Sequence, residues 1–300
     1  MKRKVIQLAG KTYVVTLPTE WVKAWGIKKG EEVEVTESGP RLIVSTNQSR
    51  DVKHGKADVS EASERTLRWV LSSLHKKGYD EIELTTKNQE HSKIVDELLK
   101  DLFLGFAVVG KTPNSVTIRA VSRELDDQLQ TIVRRAFLVT VQMGDDLALI
   151  SKNKNFEDIQ KVIEQEKTNN QLTNFVERII NKKGLDEPVK NSFLYVVMWN
   201  LEKVADQLKH VAECIQKQKA VEKNSQVLIE KTSKLLREYY ELFYTFNVKK
   251  LSELSEEFKI LRKEVEVELE KSKNPIMLSH LHSAVLKIAD FSSSTFALND

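Results

Sequence analysis

A single cysteine, Cys214, stands among 300 residues, which rules out an internal disulfide framework and fits a reducing compartment. No apolar run approaches the roughly twenty residues that cross a bilayer. The longest runs, Phe103 to Val109 and Phe193 to Trp199, have the length of core segments. The amino terminus lacks the apolar stretch of a secretory signal, so the expectation is a cytoplasmic protein without membrane insertion. Excess charge is missing too. A formal net charge of +3 gives no argument for nucleic acid from the total. Glycine and proline are scarce and unevenly placed, with only two of each from Arg123 onward. What is present is an ordinary apolar content, 40% of residues, enough for two or three domains with cores of their own.

The first 46 residues carry a distinct pattern. Val5 to Leu8 and Tyr13 to Leu17 are β-branched and aromatic runs around Ala9-Gly10-Lys11, which predicts strand, turn, strand. Pro18 stops the second strand, and Thr19 to Trp25 has apolar residues three and four apart, a short helix ended by Gly26. A second hairpin follows, Glu32 to Thr36 and Arg41 to Val44, turning at Ser38-Gly39-Pro40. So small a module cannot cover Trp21 and Trp25 by itself, and it should dimerise. Residues 1 to 50 hold nine Lys or Arg against five Asp or Glu, a modest basic excess.

Lys4-Val5, Gly10-Lys11, Val14-Val15, Leu17-Pro18, Gly26-Ile27, Lys29-Gly30 and Val33-Val35 resemble the swapped-hairpin AbrB/MazE/SpoVT family. The resemblance implies two chains interleaved into one DNA-binding homodimer, with a DNA face carrying Arg3, Lys4, Lys11 and Lys23. Val22 stands where that family usually has a second basic residue after the proline.

Residues 47–59 are polar and without a period, and read as a linker. A mixed αβαββ domain over 60–121 follows: a helix from Ser60, a strand at Glu81 to Thr85, a helix at Ser92 to Phe103, and strands near Phe106 to Val109 and Val116 to Ala120. Gly105 to Thr112 satisfies the phosphate-loop pattern G-x-x-x-x-G-K-T, but its interior is Phe-Ala-Val-Val and Pro113 follows it. A buried strand ending in a turn is expected there, and no nucleotide.

Residues 122–300 read as an all-α domain of six long helices, near 123–150, 155–183, 187–217, 222–247, 249–272 and 275–298. Asp186 before Pro188 and Asn274 before Pro275 look like caps followed by helix-starting prolines. Leu201 to Asp206 is echoed by Val285 to Asp290, which argues for a duplicated three-helix unit. The fold class is therefore multidomain α+β: a small all-β first domain, a mixed αβ middle segment and two three-helix bundles.

At that repeat the chain resembles PhoU, the regulator of phosphate uptake, and the fusion is of archaeal type. The resemblance implies a divalent metal or iron cluster held by carboxylates at Glu202-x-x-x-Asp206. Asp290 is the counterpart in the other half, where Leu286 replaces the first acid, and Glu166 lies in the second helix, followed by Asn170 in place of the second acid. Spacing alone leaves two readings open. Glu202 and Asp206 are one turn apart and can share a hard cation, yet a solvated face laced with salt bridges has the same look. His210 is one turn further on and reads as an ion-pair partner or an added ligand. No nucleophile with a placed base is found, so catalysis is not expected. The sequence reads as a dimeric DNA-binding regulator of phosphate uptake; the alternative is an adaptor that contacts a phosphate transporter or sensor without binding DNA.

Overall fold

The structure is a computed structural model and describes residues 1–46, 52–121, 128–185 and 187–299. The chain divides into two compact units, Met1–Asp51 and Val52–Asp300.

In the first unit, β1 (Ile6–Leu8) pairs antiparallel with β2 (Thr12–Val14), and Ala9 and Gly10 both turn at positive φ. Only glycine adopts that backbone without cost, which explains Gly10 at the tip. The helix α1 (Thr19–Ala24) starts behind Pro18 and ends at Gly26, whose φ is +60°. A second hairpin joins β3 (Glu34–Ser38) to β4 (Arg41–Ser45). No described side chain of residues 1–46 is buried, and Trp21 and Trp25 are only half-covered.

The second unit begins with a strand where the sequence reads as linker: β5 (His54–Asp58) runs parallel to β6 (Glu81–Thr85). The middle segment is therefore βαβαββ, with α2 (Glu64–Lys76), α3 (Gln89–Leu102), β7 (Phe106–Thr112) and β8 (Ser115–Ala120) in sheet order β5-β6-β8-β7. Ile82, Leu84, Val116 and Ile118 point from the sheet into a core shared with Leu67, Leu71, Val95 and Leu98 of the helices. The alternate residues form cross-strand ion pairs, Lys56 with Glu83 and Glu81 with both His54 and Arg119. Period two thus separates a helix-covered face from a solvated one. Gly105 to Thr112 falls on a loop and β7, which no helix follows, so the phosphate-loop geometry is absent.

Among the described residues, seven α-helices follow. The first bundle is α4 (Leu129–Asn153), α5 (Ile159–Lys182) and α6 (Lys190–Gln218); the second is α7 (Lys223–Tyr244), α8 (Val248–Leu269) and α9 (Pro275–Ala289), followed by α10 (Ser292–Asn299). Leu201, Val204, Ala205, Leu208, Val211, Ala212 and Ile215 of α6 are all buried, as their spacing predicts. The echoed helices α6 and α9 pack on each other, and α4 packs on α7, so both bundles share one core. Asn274 caps α9 by accepting from Met277 N–H, with Pro275 in the first turn. Residues 123–127 and the cap at Asp186 lie outside the described residues. Two expectations change. The third long helix, α6, begins at Lys190 instead of beside Pro188. The sixth helix ends at Ala289, and Ser292 opens a separate one, whose Thr295 exchanges a 2.6 Å hydrogen bond with buried Tyr239.

One stripe of α5 fastens the middle segment to the first bundle. Residues 167, 171, 174, 178 and 181 recur at helical spacing, so they share a face. Gln171 donates to the Lys100 carbonyl, Asn174 to that of Leu102 at 3.2 Å, and Asn181 to that of Lys76 at 2.9 Å. These acceptors sit in the last turns of α2 and α3, where carbonyls lack partners within their own helix. Arg178, fully buried, donates to the His75 and Tyr79 carbonyls at 3.1 and 2.6 Å and to Asp80 at 2.6 Å, and it lies over the Phe106 ring.

Candidate functional site

Two places hold the residues singled out in the sequence. In the first unit, Arg3 and Lys4 lead into β1, Lys11 sits on the β1–β2 turn and Lys23 on the last turn of α1. All four are exposed, and none is in an ion pair among the described residues. Unpaired cations on a short hairpin can reach phosphate oxygens without first breaking internal contacts. Val5, Ile6, Leu8, Tyr13 and Val15 around the first hairpin, and Val35, Leu42 and Ile43 in the second, expose their apolar side chains. Such density of exposed apolar groups marks a surface that another chain covers.

The second place is a cleft of about 600 Å³ within residues 52–300, walled by α2 and the end of α3 on one side and by α5 and α6 on the other. It gathers Glu166, Glu202 and Asp206. The sequence leaves a shared cation and a solvated, salt-bridged face both open for Glu202 and Asp206; in the structure α2 lines the same cleft as α6, and the Glu202 side chain is only 19% exposed. Burial pushes the Glu202 carboxyl above its ordinary range, Lys203 offsets part of that, and the like charge of Asp206 adds to it. Lys203 Nζ lies 2.8 Å from Glu202 and 3.1 Å from Asp206. Lys209 Nζ lies 2.8 Å from Glu166, whose same oxygen also accepts from Asn170. Behind the cleft, buried Glu177 faces Lys76 at 2.6 Å, and burial raises its pKa despite that lysine.

Residues 6–51 match the family described as antidote-toxin recognition MazE, bacterial antitoxin. They form a MazE/AbrB-like domain with an amino-terminal β-hairpin. No curated protein matches the chain, and no solved structure does. The MazE-like domain therefore accounts for the first unit, and the comparisons do not extend past residue 51. Arg3 and Lys4 precede the matched segment, while Lys11 and Lys23 fall inside it.

As placed, the carboxylates do not fit a metal ion. Glu202 and Asp206 face Lys203, and Glu166 faces Lys209 and Asn170, so their oxygens are turned to internal cations and donors. Among the described residues, no group of three or more His, Cys, Asp or Glu side chains is arranged to hold a metal. Asp290 does not join the cleft; it ends α9, half-exposed, and pairs with Lys287 at 3.0 Å. His210 pairs with Glu213 at 3.0 Å and lies 4.9 Å from the His280 ring. Sequence reasoning missed Trp69 of α2 and Trp199 of α6, which line the cleft while 60% and 41% exposed. A large aromatic at a solvent-facing helical position was the available signal.

Proposed function

We propose that this chain is a dimeric DNA-binding transcriptional regulator of phosphate uptake, using its MazE-like domain to hold DNA and a PhoU-like helical region as sensor. The observation that carries the first half is the match over residues 6–51, together with four exposed, unpaired cations on a module that buries none of its own described side chains. The second half rests on the resemblance of the two three-helix bundles and Glu202-x-x-x-Asp206 to PhoU. Regulation here is binding linked to binding, with no catalytic step.

The test is a gel-shift salt titration on promoter DNA of phosphate-transport genes. If about four to six phosphates are contacted per dimer, affinity falls steeply with salt, at a log-log slope of about 0.9 per contact. Lys11→Ala with Lys23→Ala should leave the fold intact and reduce slope and affinity together. Phosphate contacts position a protein without reading bases, so the loss should be similar on unrelated duplexes.

A second reading, an adaptor that docks on a phosphate transporter or sensor, is favoured by one observation. Grooves of about 650 and 550 Å³ flank α7 and leave Leu149, Val227, Ile260 and Val267 exposed, an apolar surface of the kind that meets protein partners. Equal slopes for wild type and double variant, or no DNA binding at all, would promote it.

A further inference from the structure

We infer that His210 of α6 and His280 of α9 together bind a divalent transition-metal ion of the zinc kind, one that takes imidazole ligands. Both residues belong to the unit of residues 52–300, and neither ring lines the carboxylate cleft, so the inference stands whether or not the MazE-like domain binds DNA.

The first observation is how the rings are held. His210 Nδ1 lies 3.0 Å from Glu213 Oε2, and His280 Nδ1 lies 2.9 Å from Gln207 Oε1. A carboxylate oxygen and an amide oxygen only accept, so each Nδ1 carries the proton and each neutral ring keeps its lone pair on Nε2. Histidines that ligate metals are held in the same way, the other ring nitrogen donating to a carboxylate or carbonyl. Burial and the neighbouring His210 both hold the His280 pKa below the ordinary 6.5, so that ring is neutral at physiological pH. The second observation is that both lone pairs are free. Neither Nε2 has a hydrogen-bond partner among the described residues, and neither is sealed from water, unlike the buried, unpartnered ring nitrogens of His75 and His91.

The third observation is distance. The two ring centres are 4.9 Å apart, with their planes tilted by 42°. A zinc ion about 2.1 Å from each Nε2, with the two at a tetrahedral angle, sets imidazole centres about 5 Å apart. The acceptors suit this arrangement. Gln207 and Glu213 are separated by about 9 Å along α6, so they draw the two Nδ1 edges toward opposite ends and leave the Nε2 edges toward the middle. Charge agrees, because apart from His210 the charge that bears on His280 is the Glu213 carboxylate, and no lysine or arginine adds to it. Among the described residues no third His, Cys, Asp or Glu side chain completes a metal-holding group, so water fills the remaining positions. One ligand comes from each bundle, and a bound ion ties α6 to α9.

Zinc chloride is titrated into the full-length protein, stripped of metal, in a non-chelating buffer at neutral pH, followed by calorimetry and by thermal melting. Saturable binding of one ion per chain is expected, with a rise in melting temperature, since an ion that binds the folded form alone stabilises it. His210→Gln and His280→Gln should each abolish both effects. Gln207→Ala should weaken binding about tenfold, the scale for losing the outer partner of a ligating histidine. His282→Gln, two residues along α9 and paired with Glu266, should bind as wild type does, and so should Cys214→Ser and Asp206→Asn. Circular dichroism checks that each variant is folded, and Gln207→Ala, which leaves both rings in place, keeps the test open if a histidine variant fails to fold. Absence of saturable zinc binding overturns the inference. Equal affinity in wild type and both histidine variants also overturns it, as does loss of binding in His282→Gln, Cys214→Ser or Asp206→Asn, which would place the ion elsewhere.

Discussion

At the scale of single residues, the most exacting environment belongs to His75. It is fully buried, stacked 4.3 Å from Phe103, and neither ring nitrogen has a hydrogen-bond partner. Burial holds its pKa well below the ordinary 6.5, and the nearby charges of Arg178 and Lys76 push the same way. The sign follows from where protons bind. The unfolded chain takes up a proton near pH 6.5 and the folded chain does not, so the stability from neutral His75 is present above that pH and declines below it. His75→Phe removes the titration and the unpaired nitrogens while keeping a ring on Phe103. Between pH 6.5 and 5, wild type should lose up to about 1.4 kcal/mol per pH unit relative to the variant, read by urea denaturation across that range. Curves that stay parallel would place His75 in contact with water. None of this was legible in the sequence, because a lone histidine near a helix end gives no sign of the Phe103 and Phe106 rings that enclose it.

At the scale of elements, legibility depended on whether the deciding contact was local. The hairpin turning at Gly10, the buried stripe of α6 and the Asn274 cap all follow from neighbours within a few residues. The strand β5 does not. His54-Gly55-Lys56-Ala57-Asp58 has no apolar alternation, and it is a strand because β6, more than twenty residues away, pairs with it. Gly55 also lets the Tyr79 ring approach; an added Cβ would lie 2.9 Å from that ring. Likewise α5 reads as an ordinary amphipathic helix, whereas its polar stripe completes the ends of α2 and α3. Arg178→Met should therefore cost about 3–5 kcal/mol of unfolding free energy, the scale for stranding a partner of a buried ion pair. Asp80 and the carbonyls of His75 and Tyr79 would each lose the bond that Arg178 donates. Chemical denaturation checks it, and a loss below 1 kcal/mol, on the order of an exposed ion pair, would show that Lys182 alone satisfies Asp80. The same limit hid the cleft, since a helical wheel of α6 shows its acids facing outward and cannot show α2 across from them.

At the scale of the whole molecule, the two units differ in how they meet the need for a core. Residues 52–300 enclose two buried clusters, one under the sheet and one through both bundles. Among its described residues the MazE-like domain encloses none. Deleting residues 1–46 should then leave a folded, helical, monomeric protein, while the full chain is a dimer. Light scattering on both decides it, and a dimer that survives the deletion would move the interface to the grooves beside α7. The described helices include none long and apolar enough to cross a membrane.

The stripe on α5 also governs how the protein breathes. Because one helix is both the middle member of the first bundle and the fastening of the βαβαββ layer, neither can open while the other stays closed without stripping the buried Arg178 guanidinium of its acceptors. Amide protons of α2, α3 and α5 should therefore exchange with deuterium through one shared opening, at one common free energy, while those of residues 6–14 exchange independently and sooner. A mass-spectrometric exchange map that showed α2 and α3 opening well before α5 would mean that the layer peels away by itself.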